Sequence, residues 1–131
     1  MIQNKLIGEL IRLDRLARRQ AKKYPLRRFL FPQLKYLLTS TRQLVGIAGL
    51  RGTGKMILLR QLATDLDQTF YLSADTLPAG TDLFEISSHL DASLGIKYLM
   101  IDEIHALKER QGQLKKIFDF LGLRIIFTSS S

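Results

Sequence analysis

One run of residues constrains this chain more than any other: Gly49-Leu50-Arg51-Gly52-Thr53-Gly54-Lys55, set between two apolar stretches of different period. Before it, Leu44–Ala48 is a short apolar run with the pattern of a buried strand. After it, Leu58, Leu59, Leu62 and Leu66 recur at helical spacing, which predicts a helix over Lys55–Leu66 with those leucines inward. Glycines at 49, 52 and 54 let the connection turn without Cβ clashes. Successive backbone N–H groups can then point inward and bind anionic oxygens, helped by the positive end of the following helix. The spacing is GxxxxGK, and a strand before with a helix after is the context that separates a phosphate cradle from a glycine-rich turn that binds nothing. Lys55 would reach the outer phosphates as a mobile positive charge.

The same motif requires Ser or Thr at its last position, and this chain has Met56 there. That hydroxyl ordinarily ligates Mg²⁺, a hard cation for which a thioether is a poor ligand, although water can fill the vacant position. Residues 98–103, Tyr-Leu-Met-Ile-Asp-Glu, form the second motif. An apolar strand delivers two acids at its C-terminal end, where ligands bind in parallel sheets. Asp102, 47 residues after Lys55, is the candidate Mg²⁺ holder, directly or through water. Glu103 is the candidate general base that orients and polarises a water. Taken alone, Asp102 could equally cap the next helix. His105 follows, either to couple the site to a partner or to pack at a helix start. A third stretch, Arg124-Ile-Ile-Phe-Thr-Ser-Ser-Ser131, reads as a strand over Arg124–Thr128 followed by small hydroxyl residues, with Thr128 and Ser129 as candidates to touch the γ-phosphate and the attacking water.

The remaining pattern alternates strands and helices from Gln43 onward. Thr69–Ser73 and Lys97–Ile101 read as strands, and 74–80 as a loop. Asp82, with Glu85 three residues on, reads as the cap of a helix running to Leu94, and Gln113–Leu121 as a helix closed by Gly122. Tyr71, Phe84 and Phe118 are assigned to packing. The order implies an α/β fold of parallel strands with right-handed crossovers. Before Gln43 the character differs. Residues 3–23 form an amphipathic helix with Leu6, Leu10, Leu13 and Ala17 on one stripe, widened by Ile7, Ile11 and Leu16. A connector rich in Phe and Arg (26–32) and a short helix over Gln33–Thr39 follow. The expected division is a basic helical arm, 1–42, and an α/β core, 43–131.

Charge supports that division. The net +8 is placed unevenly: residues 1–42 hold 11 Lys or Arg against 2 acids, and 43–131 hold 9 against 10. A concentrated basic face suits nucleic acid or an acidic protein, although it can also be a solvated helix face. No aromatic is interleaved with Arg12–Lys23, so a stacking platform for bases is missing there. With no cysteine, disulfides and thiolate chemistry are excluded. No apolar run is long enough for a membrane span or a secretory signal, so the expectation is no membrane partner and a cytoplasmic location.

In order, these segments resemble the AAA+ superfamily of P-loop ATPases, and in particular the prokaryotic AAA-type ATPases that carry a C-terminal nuclease-like domain of unknown function. The resemblance rests on Gly49–Met56, Asp102-Glu103-Ile104 and Thr128-Ser129-Ser130-Ser131, with similar short stretches at Phe70–Ser73 and Leu123–Ile126, and spans about residues 43–131. It implies a three-layer α-β-α core whose parallel sheet has the order 5-1-4-3-2, with ATP and Mg²⁺ as ligands and homo-oligomeric assembly as a candidate. Met56 and Ser129 depart from the family's Thr and Gly. A fifth strand, an arginine finger and a helical lid would follow in the family. The expected sheet is therefore 1-4-3-2, and either the chain is a piece of a longer protein or the N-terminal helices cover the edge left at the first strand. Asp102-Glu103-Ile104-His105 also resembles a DExH helicase motif, against which the short gap between the two motifs counts.

The leading expectation is an ATP-binding module from an ATPase that remodels a partner or nucleic acid. The alternative is a non-hydrolysing, nucleotide-dependent regulator that acts through its basic arm. Met56 decides how much hydrolysis survives: Met56→Thr should raise Mg²⁺-dependent ATP turnover above that of the native chain, and an ordinary rate in the native chain would show Met56 to be harmless.

Overall fold

The computed structural model describes residues 4–21, 31–40, 44–49 and 55–130. Helix α1 (Asn4–Ala21) and helix α2 (Phe31–Ser40) precede strand β1 (Leu44–Gly49). Then come α3 (Lys55–Asp65), β2 (Thr69–Ser73), α4 (Leu83–Leu94), β3 (Tyr98–Asp102), α5 (Arg110–Leu121) and β4 (Arg124–Ser130), with single 3₁₀ turns after β2 and β3. The four strands are all parallel in the order β1-β4-β3-β2, the expected sheet.

Pleat alternation builds the three layers. Phe70, Leu72, Leu99, Ile101 and Ile125 point to one face and pack under α4 and α5 through Leu83, Ile86, Leu90, Leu114 and Ile117. Tyr71, Tyr98, Met100 and Ile126 point to the other and meet Leu58, Leu59, Leu62 and Leu66 from α3 and the turn after it. The Asp82 carboxylate accepts from the Glu85 amide at 3.2 Å, so the expected N-cap forms, and Gly122 ends α5 at φ 67°.

Two boundaries moved for tertiary reasons. Helix α5 starts at Arg110 instead of Gln113, because the Gln113 side chain accepts from Leu83 N at 2.6 Å and donates to Lys108 O at 3.0 Å, which ties the start of α5 to the start of α4. Strand β4 runs past Thr128 to Ser130, because Ser129 and Ser130 pair with Ala48 and Gly49 of β1. Inside this pair the Phe127 ring lies against Gly46, and a Cβ there would sit 2.7 Å from Phe127 Cζ.

Helix α1 lies along the β2 edge, not the β1 edge. Its Ile7 and Leu10 join one core layer and its Ala17 the other, so the helix wraps the margin of the sheet. Asp14, on the inward face of that apolar stripe, is only 7% exposed. Its Oδ1 accepts from the Tyr71 amide at 2.8 Å and from Arg18 Nε at 3.1 Å, and Arg18 Nη2 donates to the Thr69 carbonyl. Side chains thus take the place of a neighbouring strand, which is one way to blunt an exposed sheet edge. Helix α2 is tied elsewhere: Lys35 pairs with Asp65 at the end of α3, and Arg124 at the start of β4 donates to Thr39 O at 2.8 Å. These contacts hold α2 at the N-terminal end of the strands.

Burial raises the Asp14 pKa above its ordinary 3.8, against the opposing pull of the Tyr71 amide and Arg18. The folded chain therefore holds that proton more tightly than the unfolded chain. This contribution to stability is present below pH 3.8 and is lost as pH rises through the raised folded value. In urea melts from pH 4 to 8, Asp14→Asn should gain on the native chain as pH rises. Asp14→Leu leaves the Tyr71 amide without its acceptor and should cost about 1–3 kcal/mol at neutral pH.

Candidate functional site

Asp102 is the last residue of β3, an interior strand, and is 2% exposed. A carboxylate so buried needs its lone pairs met. Tyr71 OH from β2 donates to Oδ2 at 2.9 Å. Thr128 OH from β4 donates to Oδ1, which also accepts from the Glu103 amide at 3.1 Å. Both neighbouring strands therefore send a hydroxyl to the strand between them. All these donors are neutral, so among the described residues the buried negative charge has hydrogen bonds but no bonded cation. Asp102 is thus a carboxylate suited to a hard cation.

Glu103 leaves the strand with φ 57° and ψ 47°, a left-handed conformation that costs a non-glycine residue about 1–2 kcal/mol. Its amide is held by two acceptors, Asp102 Oδ1 and Thr128 Oγ1, each at 3.1 Å, and these contacts fix the turn. Its carboxylate Oε2 lies 3.2 Å from His105 Nε2, so His105 meets the candidate base and does more than pack at the start of the next element.

Tyr71 also does more than the packing assigned from the sequence. It is level with Met100 in the β2–β3 register and shares the face of Asp102 two residues on, so its hydroxyl reaches along the strand to the carboxylate. The Arg60 guanidinium of α3 stands 5.3 Å from the centre of its ring. Burial, and then the Asp102 charge, push the phenol well above its usual pKa of 10, against the pull of Arg60. Tyr71 is therefore a permanent donor.

The strand register places the glycine-rich connection at this same end of the sheet. Ile47 is level with Thr128, and Gly49 with Ser130. Ile101 is level with Phe127, so Asp102 sits beside Thr128. Lys55 is the first residue of α3. Leu50, Arg51, Gly52, Thr53 and Gly54, and the side chains of Lys55 and Met56, lie outside the described residues. Ser129 falls on the opposite face from Thr128 by pleat alternation, so only Thr128 joins the Asp102 cluster. A cleft of about 680 Å³ opens between the 74–82 loop and the start of α5, and neither Asp102 nor Thr128 lines it. Sequence reasoning missed Tyr71 and Asp14. The available signals were a polar tip in an apolar strand and an acid in the middle of an apolar stripe.

Thr128→Val keeps the shape of the side chain and removes its hydroxyl, leaving Asp102 and the Glu103 amide each one partner short. The expected cost is about 1–3 kcal/mol in a urea melt. Thr128→Ser, which keeps the bonds, should recover most of it.

Known proteins match this architecture. A family model described as an AAA domain matches residues 41–131. Among solved structures, the replication initiator DnaA bound to AMPPCP and single-stranded DNA superposes with a TM-score of 0.53 at 21% identity, over 78% of this chain and 36% of that one. AMPPCP-bound DnaA from Aquifex aeolicus gives 0.50 at 19%, over 78% and 36%. C. elegans PCH-2 gives 0.50 at 17%, over 100% and 38%. The chain spans little more than a third of the length of these structures, and at such identities the likeness is one of fold. No curated protein matches by sequence. With most of its length under the family's model and a parallel 1-4-3-2 sheet, the chain belongs to the AAA domain family.

Proposed function

We propose that this module binds ATP at the end of the sheet that carries Gly49, Asp102 and Thr128. The observation that carries the reading is the buried Asp102 carboxylate, bonded among the described residues by neutral donors and delivered to the same end of the sheet as the glycine-rich connection. In this reading the amides of Gly49, Leu50, Arg51, Gly52, Thr53, Gly54, Lys55 and Met56 cradle the phosphates and the Lys55 ammonium neutralises the outer ones. DnaA bound to AMPPCP, on the same fold, supports a nucleoside triphosphate as the ligand.

Mg²⁺ fits the donor set. Asp102, Glu103 and Thr128 offer only oxygens, and Mg²⁺ is commonly held by one or two carboxylates together with substrate phosphates. Among the described residues no group of three or more His, Cys, Asp or Glu forms a metal cage, which that mode does not need. Asp102 would hold the ion, and the ion when bound would neutralise charge on the phosphate oxygens. Glu103 would take a proton from a water attacking the γ-phosphorus in line. The bond to the bridging oxygen breaks, leaving ADP and phosphate. Thr128 would hold Asp102 and the Glu103 backbone in register. Met56 in place of a hydroxyl supports slow hydrolysis.

A second reading has its own observation. Arg15 and Arg19 are exposed on α1, while the inward face of that helix is docked on β2. One of the matched DnaA structures holds single-stranded DNA. Residues 1–42 would then be an arm that meets nucleic acid or an acidic protein while 43–131 reports nucleotide state. The stretches Gly49–Met56 and Asp102–Ile104 support kinship with the prokaryotic ATPases that carry a nuclease-like domain.

A fluorescent ATP analogue and a phosphate-release assay test these readings together. The native chain should bind the analogue, and Glu103→Gln should bind it equally well while any turnover falls by about 10²–10⁴-fold. Binding with release at background selects the regulator. Absence of binding to any nucleoside triphosphate removes both.

A further inference from the structure

Tyr71 is contacted by three separate elements. Its amide donates to Asp14 of α1, its ring faces Arg60 of α3, and its hydroxyl donates to Asp102 of β3. The amide needs its acceptor whatever the side chain, but a residue that only fills a core needs no hydroxyl. Phenylalanine would occupy the same volume, and the hydroxyl is tolerated there only because it has a buried acceptor. That acceptor is Oδ2, the Asp102 oxygen that Thr128 and the Glu103 amide do not touch.

The two oxygens are thus held separately, Oδ1 from the β4 side and Oδ2 from the β2 side. A carboxylate bonded on one oxygen can still swing about its Cβ–Cγ axis, whereas one bonded on both is fixed in plane. Each oxygen keeps lone-pair capacity beyond the bonds it accepts. We infer that Tyr71 is a positioning residue which fixes the plane of the Asp102 carboxylate for a divalent cation, and that Arg60 ties its ring to the helix opening at Lys55. This rests on the ATP-binding reading. It adds a partner outside the glycine-rich connection and the acidic strand end. Outer-shell partners of metal-holding carboxylates commonly change metal affinity by about 10- to 100-fold when lost.

The test follows binding of a fluorescent ATP analogue to the full chain, first in EDTA and then through a Mg²⁺ titration. Tyr71→Phe should leave the affinity in EDTA unchanged and raise the Mg²⁺ concentration needed for half of the metal-dependent gain by about 10- to 100-fold. In an Asp102→Asn background, Tyr71→Phe should produce no further shift. A merely structural tyrosine would weaken binding alike with and without metal. That result, or an unmoved Mg²⁺ midpoint, overturns the assignment while nucleotide binding stands. Metal-independent binding in the native chain also overturns it. Only a native chain that binds no analogue under either condition removes the ATP reading itself. If Tyr71→Phe does not fold, 3-fluorotyrosine placed at position 71 alone keeps the hydroxyl. Its ¹⁹F resonance should shift when Mg²⁺ joins the nucleotide complex, and a static resonance is the overturning result.

Discussion

A carboxylate almost wholly out of water is stable only where donors surround it, and in this chain the order of the sheet provides them. Asp102 ends an interior strand, so it has a strand on each side. Tyr71 comes from one neighbour and Thr128 from the other, and the third bond comes from its own following amide. A different strand order would bury the same acid without these partners. The left-handed turn at Glu103 follows from the same bonds, since its amide is shared between Asp102 and Thr128. Position, burial and backbone conformation at the site are consequences of a single arrangement.

The two ends of the strands have separate tasks. At the C-terminal end stand the buried acid, its hydroxyl partners and the approach to the glycine-rich connection. At the N-terminal end, Lys35 and Arg124 tie α2 to the end of α3 and the start of β4, away from Asp102. Between them, α1 closes the β2 margin with a carboxylate and a guanidinium that take the roles of a neighbouring strand's carbonyl and amide. Tyr71 connects this margin to the site, with its amide in one network and its hydroxyl in the other.

Helix α1 becomes more one-sided once folded. Of the two acids in residues 1–42, Asp14 is buried against β2 and Glu9 is paired with Arg12 at 2.6 Å. The outward face of α1 therefore carries Lys5, Arg15 and Arg19 with little acid to offset them. The inward face owes its hold on β2 to one of the few acids available, and to Arg18 on the turn after it.

Much of this was legible in the sequence. Strands and helices after Gln43 were readable because period and turn chemistry agree: Leu58, Leu59, Leu62 and Leu66 are buried where their spacing put them, and the ends of α4 and α5 follow Asp82 and Gly122. Asp102 and Glu103 stood out as candidates because an apolar run ending in two acids follows a GxxxxGK stretch in the same chain. What the sequence alone determined is therefore local: which segments form elements, and which end of β3 carries charge. Tertiary structure alone decided which hydroxyls meet Asp102, that Thr128 and not Ser129 shares its face, that β4 extends to Ser130, and that α1 covers the β2 margin with Asp14. The physical reason is that these are contacts between residues tens of positions apart. Their partners are set by strand register and pleat phase, which no local window of sequence contains.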